Sequence, residues 1–512
     1  MSVAFEVESD SEGIFSFSSL WKAYKVCGKR KRNTINALKF EIDLLDNLFG
    51  LSESLINRTY RPSRSVCFVV KDPKFREVFA ADFRDRVVHH LLVPRLETIF
   101  EPKFIFDSYS CREKKGTHAA VNRLNRFLDR ATDGGKNTAW YLQLDIKSFF
   151  MNIRKDVLEQ LLIKHISNES WIWLTRTILY HDCVEDFVYK GDPALMEKVP
   201  CHKSLFNMPK NKGLPIGNLT SQFFANVYLN ELDQYLKHQL KCRFYLRYMD
   251  DFIMVHQHQE QLSEWKEKIK SFLDCKLDLS LKLDAEVKSV YQGIDFLGYI
   301  IRPNYRLVRR RVVGNLKSKL NDFLKELIIE GLVGNTHYRK LFLTPDRIMA
   351  LRQVLASYIG HFQHADSFKL IEAIWERFDF LKEIFYVSRK RKLVPLYEPP
   401  FLPINYKGQY RWFYHRYQSY CILFQIGKYI ELYGHQAEKY FRVLGVQLNC
   451  DQRGLGKQCG FPVRFLKTYQ RKLFSAGVSY IIVKENGYYQ SGLKKRLVLK
   501  MVRFSPKLAI EE

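Results

Sequence analysis

Three aspartates carry the chemistry of this sequence. Asp250 and Asp251 stand side by side between two apolar runs, Phe244-Tyr245-Leu246-Arg247-Tyr248 and Phe252-Ile253-Met254-Val255. Asp145 closes a third run, Tyr141-Leu142-Gln143-Leu144. Adjacent acids between hydrophobic segments repel one another and add nothing to a core, so the short Met249-Asp250-Asp251 link reads as a tight hairpin with both carboxylates at its tip. Carboxylate oxygens of this kind suit hard cations such as Mg²⁺. Two-metal phosphoryl transfer needs ions about 3.5–4 Å apart, held by acids from separate strands. An Asp-Asp standing alone is most often a solvated turn. The flanking strands and a third aspartate on its own strand weigh against that here.

The elements that must position these acids follow from the wider pattern. Between residues 60 and 301, short β-rich runs alternate with longer amphipathic ones, which predicts a mixed α/β domain. Residues 313–331, 345–363 and 367–386 read as helices. A proline-bearing stretch (Pro395, Pro399, Pro400, Pro403) follows the basic run Arg389-Lys390-Arg391-Lys392 and reads as a linker. The expected division is a basic helical extension (1–60, with Lys29-Arg30-Lys31-Arg32), the α/β domain (61–300), a helical domain (301–394), a linker (395–409) and a small last domain (410–512). At 512 residues the chain exceeds what one core supports.

Composition narrows the partners. Lys and Arg number 82 against 55 acids, a formal charge of +27, and 38 Phe and 29 Tyr accompany them. That balance favours a polyanion, with aromatic faces available for base stacking. The ten cysteines never form a C-x-x-C pair, which argues against a zinc ribbon or a disulfide framework and fits a reducing compartment. The start, Met1-Ser2-Val3-Ala4-Phe5-Glu6, is no secretion signal, and no apolar run approaches about 18 residues. The expectation is a soluble cytoplasmic protein without membrane contact.

Several segments resemble one family in order. Tyr248-Met249-Asp250-Asp251 resembles the Tyr-x-Asp-Asp box of reverse transcriptases, and Asp145 with Phe149-Phe150 resembles their motif A. Gly213-Leu214-Pro215-Ile216-Gly217-Asn218-Leu219-Thr220-Ser221-Gln222 is similar to motif B, and Gly293-Ile294-Asp295-Phe296-Leu297-Gly298-Tyr299 to the end of the palm. Arg76-Glu77-Val78-Phe79 and Phe106-Asp107-Ser108-Tyr109-Ser110-Cys111-Arg112 are similar to the finger motifs. The resemblance implies an α/β (α+β) right-hand polymerase with fingers, palm and helical thumb. It implies Asp145, Asp250 and Asp251 as catalytic residues, with Asp145, Ile146, Asp250 and Asp251 around two Mg²⁺ ions, for which Mn²⁺ could substitute. Deoxynucleoside triphosphates would meet Arg76, Arg112 and Lys114 in the fingers. Phe150 would sense the ribose, and Lys288 would be the basic group that protonates pyrophosphate. Arg309-Arg310-Arg311, opening the thumb, suits contacts to backbone phosphates. Each basic residue has a plainer alternative as a solvated charge, and Phe150 as a core side chain.

Motif B gives the sharper clue. Most reverse transcriptases have Gln where this sequence has Ile216. Ile216-Gly217 with Ser221-Gln222 resembles the enzymes of diversity-generating retroelements, bacterial or phage-encoded. Those copy a template RNA into cDNA with errors at adenine. The resemblance implies a small basic accessory protein as a further partner, and nucleotide contacts at Ile216, Gly217 and Gln222. The alternatives are a bacterial reverse transcriptase with another role, such as phage defence, or a catalytically silent RNA-binding protein. The last block, with Cys421-Ile422-Leu423-Phe424-Gln425-Ile426-Gly427-Lys428-Tyr429-Ile430-Glu431 and Cys459-Gly460-Phe461-Pro462-Val463, resembles the mismatch-recognition domain of MutS proteins, a small α/β domain. Tyr429 and Glu431 stand where that family has Phe-x-Glu, so base stacking and nucleic-acid binding are expected of them. No G-x-x-x-x-G-K-[ST] loop is present, which excludes a complete mismatch-repair ATPase.

Overall fold

The computed structural model describes residues 11–29, 34–71, 74–282, 285–388, 392–450, 452–489 and 491–506. Met1 to Glu6, most of the Lys29 to Arg32 run and most of the Arg389 to Lys392 run lie outside the described residues. The chain forms two compact units, 1–297 with 301–304, and 298–300 with 305–512.

In the first unit, strands β1 (Ser65–Val70), β2 (Arg76–Ala80) and β4 (Phe187–Tyr189) make a small sheet in the order β2-β1-β4. β3 (Trp140–Asp145), β5 (Phe244–Tyr248), β6 (Asp251–His256) and β7 (Val287–Ser289) make a second, ordered β5-β6-β3-β7. All pairings in this second sheet are antiparallel. Helix Leu219–Gln234 covers it, its Phe224, Tyr228, Leu229 and Leu232 fully buried in the main core. This is the mixed α/β domain that the sequence predicts. The first sixty residues are helical where described, but they are no loose extension. Phe15, Leu20, Leu48 and Leu55 are fully buried in the same core.

The second unit departs from expectation. Helix Arg310–Leu327 stops four residues short of the expected 331, because Ile328-Ile329 begin a strand. That strand, β8 (Ile328–Val333), pairs antiparallel with β9 (Thr336–Phe342), so this region is not purely helical. The helix expected over 367–386 likewise breaks into Phe368–Arg377 and Phe380–Ile384 before a strand, Phe385–Val387. The proline-bearing stretch is anchored rather than a free linker. Leu396 and Tyr397 are buried, the Tyr417 hydroxyl donates to the Leu396 carbonyl at 2.6 Å, and Val498 N–H donates to the Tyr397 carbonyl at 2.8 Å. Five further strands follow: β10 (Cys421–Ile426), β11 (Tyr429–Tyr433), β12 (Gln458–Pro462), β13 (Tyr480–Tyr488) and β14 (Lys494–Pro506). They join the hairpin in one seven-stranded sheet, ordered β8-β9-β14-β13-β10-β11-β12. Helices His435–Leu444 and Leu466–Ser475 pack on one face of it. Among the described residues no helix is long and apolar enough to cross a membrane.

Candidate active site and nucleic-acid interface

The three aspartates converge through strand pairing. Asp145, the last residue of β3, lies opposite Asp251, the first residue of β6. Asp251 also pairs with Tyr248 across the hairpin, so Met249 and Asp250 alone form the turn. Met249 takes φ +58°, the left-handed conformation that so tight a link demands.

Arg247, one strand position back, holds this turn from within. Its side chain has no exposed surface, lies 2.6 Å from Asp233 of helix Leu219–Gln234, and donates to the Met249 carbonyl at 3.0 Å. It also reaches Asn226 and Ser108 Oγ, each at 3.2 Å. Removing one partner of such a buried pair costs about 3–5 kcal/mol. Sequence reasoning passed over Arg247. The signal was there: a cation inside an otherwise apolar strand.

The electrostatics of the trio invite a cation. Burial raises the Asp251 carboxyl to about 7, with Asp145 and Asp250 adding to the rise and the Gln143 hydrogen bonds opposing it. Gln143 Nε2 donates to both Asp251 oxygens, at 3.0 and 3.1 Å, and to the Asp295 carbonyl at 3.3 Å. Burial, then Asp145, raises Asp250 as well, while Lys282 and Arg76 pull it back. One oxygen of Asp145 takes the Lys282 ammonium, and the other is buried with no hydrogen-bond partner. Among the described residues no three His, Cys, Asp or Glu side chains are gathered tightly enough to hold an ion as they stand. The donor set nevertheless fits a hard cation: acids pushed upward by burial and then by one another, an orphaned carboxylate oxygen, and a lysine where positive charge is wanted. Ile146 is buried, bridged to Leu281 just beyond Asp145.

The remaining expected residues separate into two groups. Arg76 acts on Asp250 as a neighbouring positive charge. Phe150 and Ile216 pack against one small apolar cluster with Phe79, Met151 and Leu205. The Ile216 carbonyl accepts from Phe79 N–H at 3.0 Å, tying motif B to β2. Gly217 has φ +121°, and a Cβ there would meet Val78 Cγ1 at 2.7 Å. Gln222 sits in the first turns of the following helix, half-buried.

The Arg112 side chain is buried, doubly bonded to Glu101, and donates to the carbonyls of Ile105 and Ser108, so it braces its own loop. Lys114 is exposed in the same loop. Lys288 pairs with Tyr141, four residues along β3 from Asp145, and its ammonium lies 3.7 Å from Glu286. The basic group at Asp145 is instead Lys282. Lys203 is a second cation, marked by no motif. Burial, then Lys74, Lys282 and Arg76, lowers its ammonium, while Asp145 raises it. The adjoining Ser204-Leu205 is held by buried Glu77 of β2, whose carboxylate accepts from both. Arg309, half-buried, donates its backbone N–H to the Gly298 carbonyl, and Arg310 and Arg311 are exposed at the start of the next helix.

In the second unit Tyr429 is 51% exposed, and Glu431 lies two residues along the same strand. Glu431 is engaged: it accepts from the Tyr433 hydroxyl and pairs with Arg453 at 3.0 Å. Tyr429 therefore presents its ring, while Glu431 is held back by Arg453.

Residues 70–301 match the family described as reverse transcriptase (RNA-dependent DNA polymerase), and residues 406–503 match MutS domain I. The chain is similar to YkfC of Escherichia coli (strain K12), 24% identical over 331 residues, 57% of this chain and 81% of that protein. It is also 24% identical over 344 residues to the group II intron-encoded protein LtrA of Lactococcus lactis subsp. cremoris, 54% of this chain but only 53% of LtrA. Apo telomerase from Candida tropicalis, truncated from its C-terminal domain, aligns at a TM-score of 0.36 and 13% identity over 47% of this chain and 53% of that one. The chain thus carries a reverse transcriptase domain, that of an RNA-directed DNA polymerase, joined to a MutS domain I.

Proposed function

We propose that this protein copies an RNA template into cDNA by two-metal nucleotidyl transfer, and that it does so with errors at template adenines as part of a diversity-generating retroelement. The observation that carries the first half is the pairing of Asp145 with Asp251 beside the Asp250 turn. Mg²⁺ bound by these acids, with Mn²⁺ as substitute, would activate the primer 3′-hydroxyl and neutralise the leaving pyrophosphate. Around them, Arg76, Lys203 and Lys282 supply positive charge suited to a deoxynucleoside triphosphate. Lys282 would move from Asp145 to phosphate when a cation takes its place.

The second half rests on Ile216. It packs in one cluster with Phe150, the candidate ribose sensor, and has no polar group to offer the incoming nucleotide. A site that cannot hydrogen-bond its substrate discriminates less between right and wrong ones. Template RNA, cDNA and a small basic accessory protein are the partners this reading calls for. The likeness to an intron-encoded protein favours a second reading, a reverse transcriptase whose cDNA serves another purpose.

One experiment addresses both halves. Primer extension on an RNA template, followed by cDNA sequencing, is run with the wild type, Asp250→Ala and Ile216→Gln. Asp250→Ala should lose at least a thousandfold in rate, about 4 kcal/mol of barrier. Ile216→Gln should lower adenine-directed errors several-fold. Unchanged errors would leave Ile216 as packing only, and equal extension by Asp250→Ala would end the polymerase reading.

A further inference from the structure

The two faces of the β8–β9 hairpin differ in charge. On one face Arg339 of β9 is neutralised three times over, by Glu330 at 2.5 Å, Asp379 at 2.8 Å and Glu383 at 3.1 Å. On the other face Lys340 meets Lys500 of β14 and the helix Leu466–Ser475. There Lys340, Lys467, Arg471 and Lys500 line one hollow with Gln470 and Phe474, and no carboxylate is among its described lining residues. We propose that this hollow is a phosphodiester-binding site for nucleic-acid backbone, built jointly by the β8–β9 hairpin and the MutS-like block. The inference rests on the reading that the protein handles nucleic acid, but not on catalysis.

Register brings the cations together. Phe342 lies opposite Lys500, and Lys340 lies opposite Val502, so Lys340 and Lys500 are diagonal neighbours on one face. Lys467 and Arg471 are four apart on their helix, hence also on one face, and both are exposed. The cluster carries an electrostatic cost. Burial, then Lys340, draws the Lys500 ammonium below its ordinary value. Aromatic rings partly offset that cost. Lys340 Nζ lies 4.0 Å from the centre of the Phe474 ring and 4.5 Å from that of Tyr338, and Lys500 Nζ is 5.1 Å from Phe342. Lys500 Nζ also donates to Gln470 Oε1 at 3.1 Å. Like charges gathered without an acid, beside aromatic faces, match what a phosphate chain with stacked bases requires. A small basic protein would be repelled here, so this surface is not where such an accessory docks.

The test uses the full chain without nucleotides and two fluorescent probes, single-stranded RNA and an RNA–DNA hybrid, titrated across salt concentrations. Exposed Lys467→Glu/Arg471→Glu should weaken binding tenfold or more at low salt. It should also flatten the plot of log affinity against log salt by about 0.7–0.9 per lost phosphate contact. Lys340→Gln/Lys500→Gln should act in the same direction. The probe that loses more identifies whose backbone the hollow holds. Lys439→Glu/Arg442→Glu, an exposed pair on helix His435–Leu444, serves as the control for bulk charge and should change little. Equal losses in the control, or wild-type affinity and slope in both test variants, would overturn the proposal. So would displacement of probe by polyglutamate from the wild type but not from Lys467→Glu/Arg471→Glu at matched ionic strength with RNA binding intact. If wild-type protein binds neither probe, the reading of function falls too; if it extends primers while the variants bind normally, only this inference falls.

Discussion

At the residue scale, Asp145 gathers its neighbours from distant segments: Asp251 across the strand pair and Lys282 at its carboxylate. Aspartates ending apolar strands stood out, and β3 and β6 set them face to face. Lys203 and Lys282 did not, because a lone lysine is ordinary anywhere on a surface and only folding brings these two to Asp145. Arg112 shows the reverse. Its position in a finger motif suggests triphosphate binding, and in the fold its side chain bonds to Glu101 and two carbonyls. His89 has a property that sequence cannot show. Its ring is buried, and burial, then the charges of His90, Arg86 and His181, pushes its pKa down to about 3. An unfolded chain takes up that proton near 6.5. The folded value lies below the unfolded one, so this stability is complete above pH 6.5 and is lost as pH falls toward 3. At pH 5 the loss is about 2 kcal/mol. Urea midpoints at pH 7.5 and pH 5 should show it, and His89→Gln should remove most of that difference. A difference that persists in the variant would shift the acid sensitivity to its neighbour His181.

Elements were legible where periodicity and pairing agree. The strands around the aspartates were legible because each is a short, largely apolar run that begins or ends at an acid or a turn. The helix expected to run to residue 331 stops early although amphipathic spacing carries on through Ile328-Ile329-Glu330-Gly331, because the strand Ile328–Val333 pairs with β9 over six residue positions. Pairing with a strand further along is a long-range fact that no local window contains. Motif B shows a local requirement that sequence does disclose. Gly217 at φ +121° lies so close to β2 that any Cβ must push on Val78 and on the Phe79 carbonyl, 3.3 Å away. Strain and contact together cost about 1–3 kcal/mol. Gly217→Ala should therefore lower the melting temperature. It should also raise KM for the nucleotide several-fold more than it lowers kcat, since the Ile216–Phe79 bond that seats the motif shifts with it. Steady-state primer extension beside a thermal melt separates these effects. A variant with wild-type KM would show that β2 yields without disturbing the nucleotide site.

At the scale of the molecule, the last block shares its sheet with the β8–β9 hairpin. β14 pairs with β9 over seven positions on one side and with β13 on the other. Buried Tyr397 bonds to the same strand. Deleting residues 494–512 should therefore do more than remove a nucleic-acid-binding appendage. It strips both neighbours of their partner, leaving exposed strand edges prone to aggregate. We expect oligomers or insoluble protein by size-exclusion chromatography, and loss of primer extension, although residues 70–301 remain intact. A monomeric, active truncation would show that the hairpin stands alone. The shared sheet also bears on how the protein is made. A ribosome delivers β8 and β9 early and β14 only after the whole MutS-like block, so the hairpin must wait for its partner. Completion of the hairpin and of the seven-stranded sheet becomes one event, and a nascent or prematurely terminated chain holding Asp145, Asp250 and Asp251 would still lack a finished second unit. Translation to the last strand thereby acts as a licence to polymerise, which spares the cell a half-made copying enzyme.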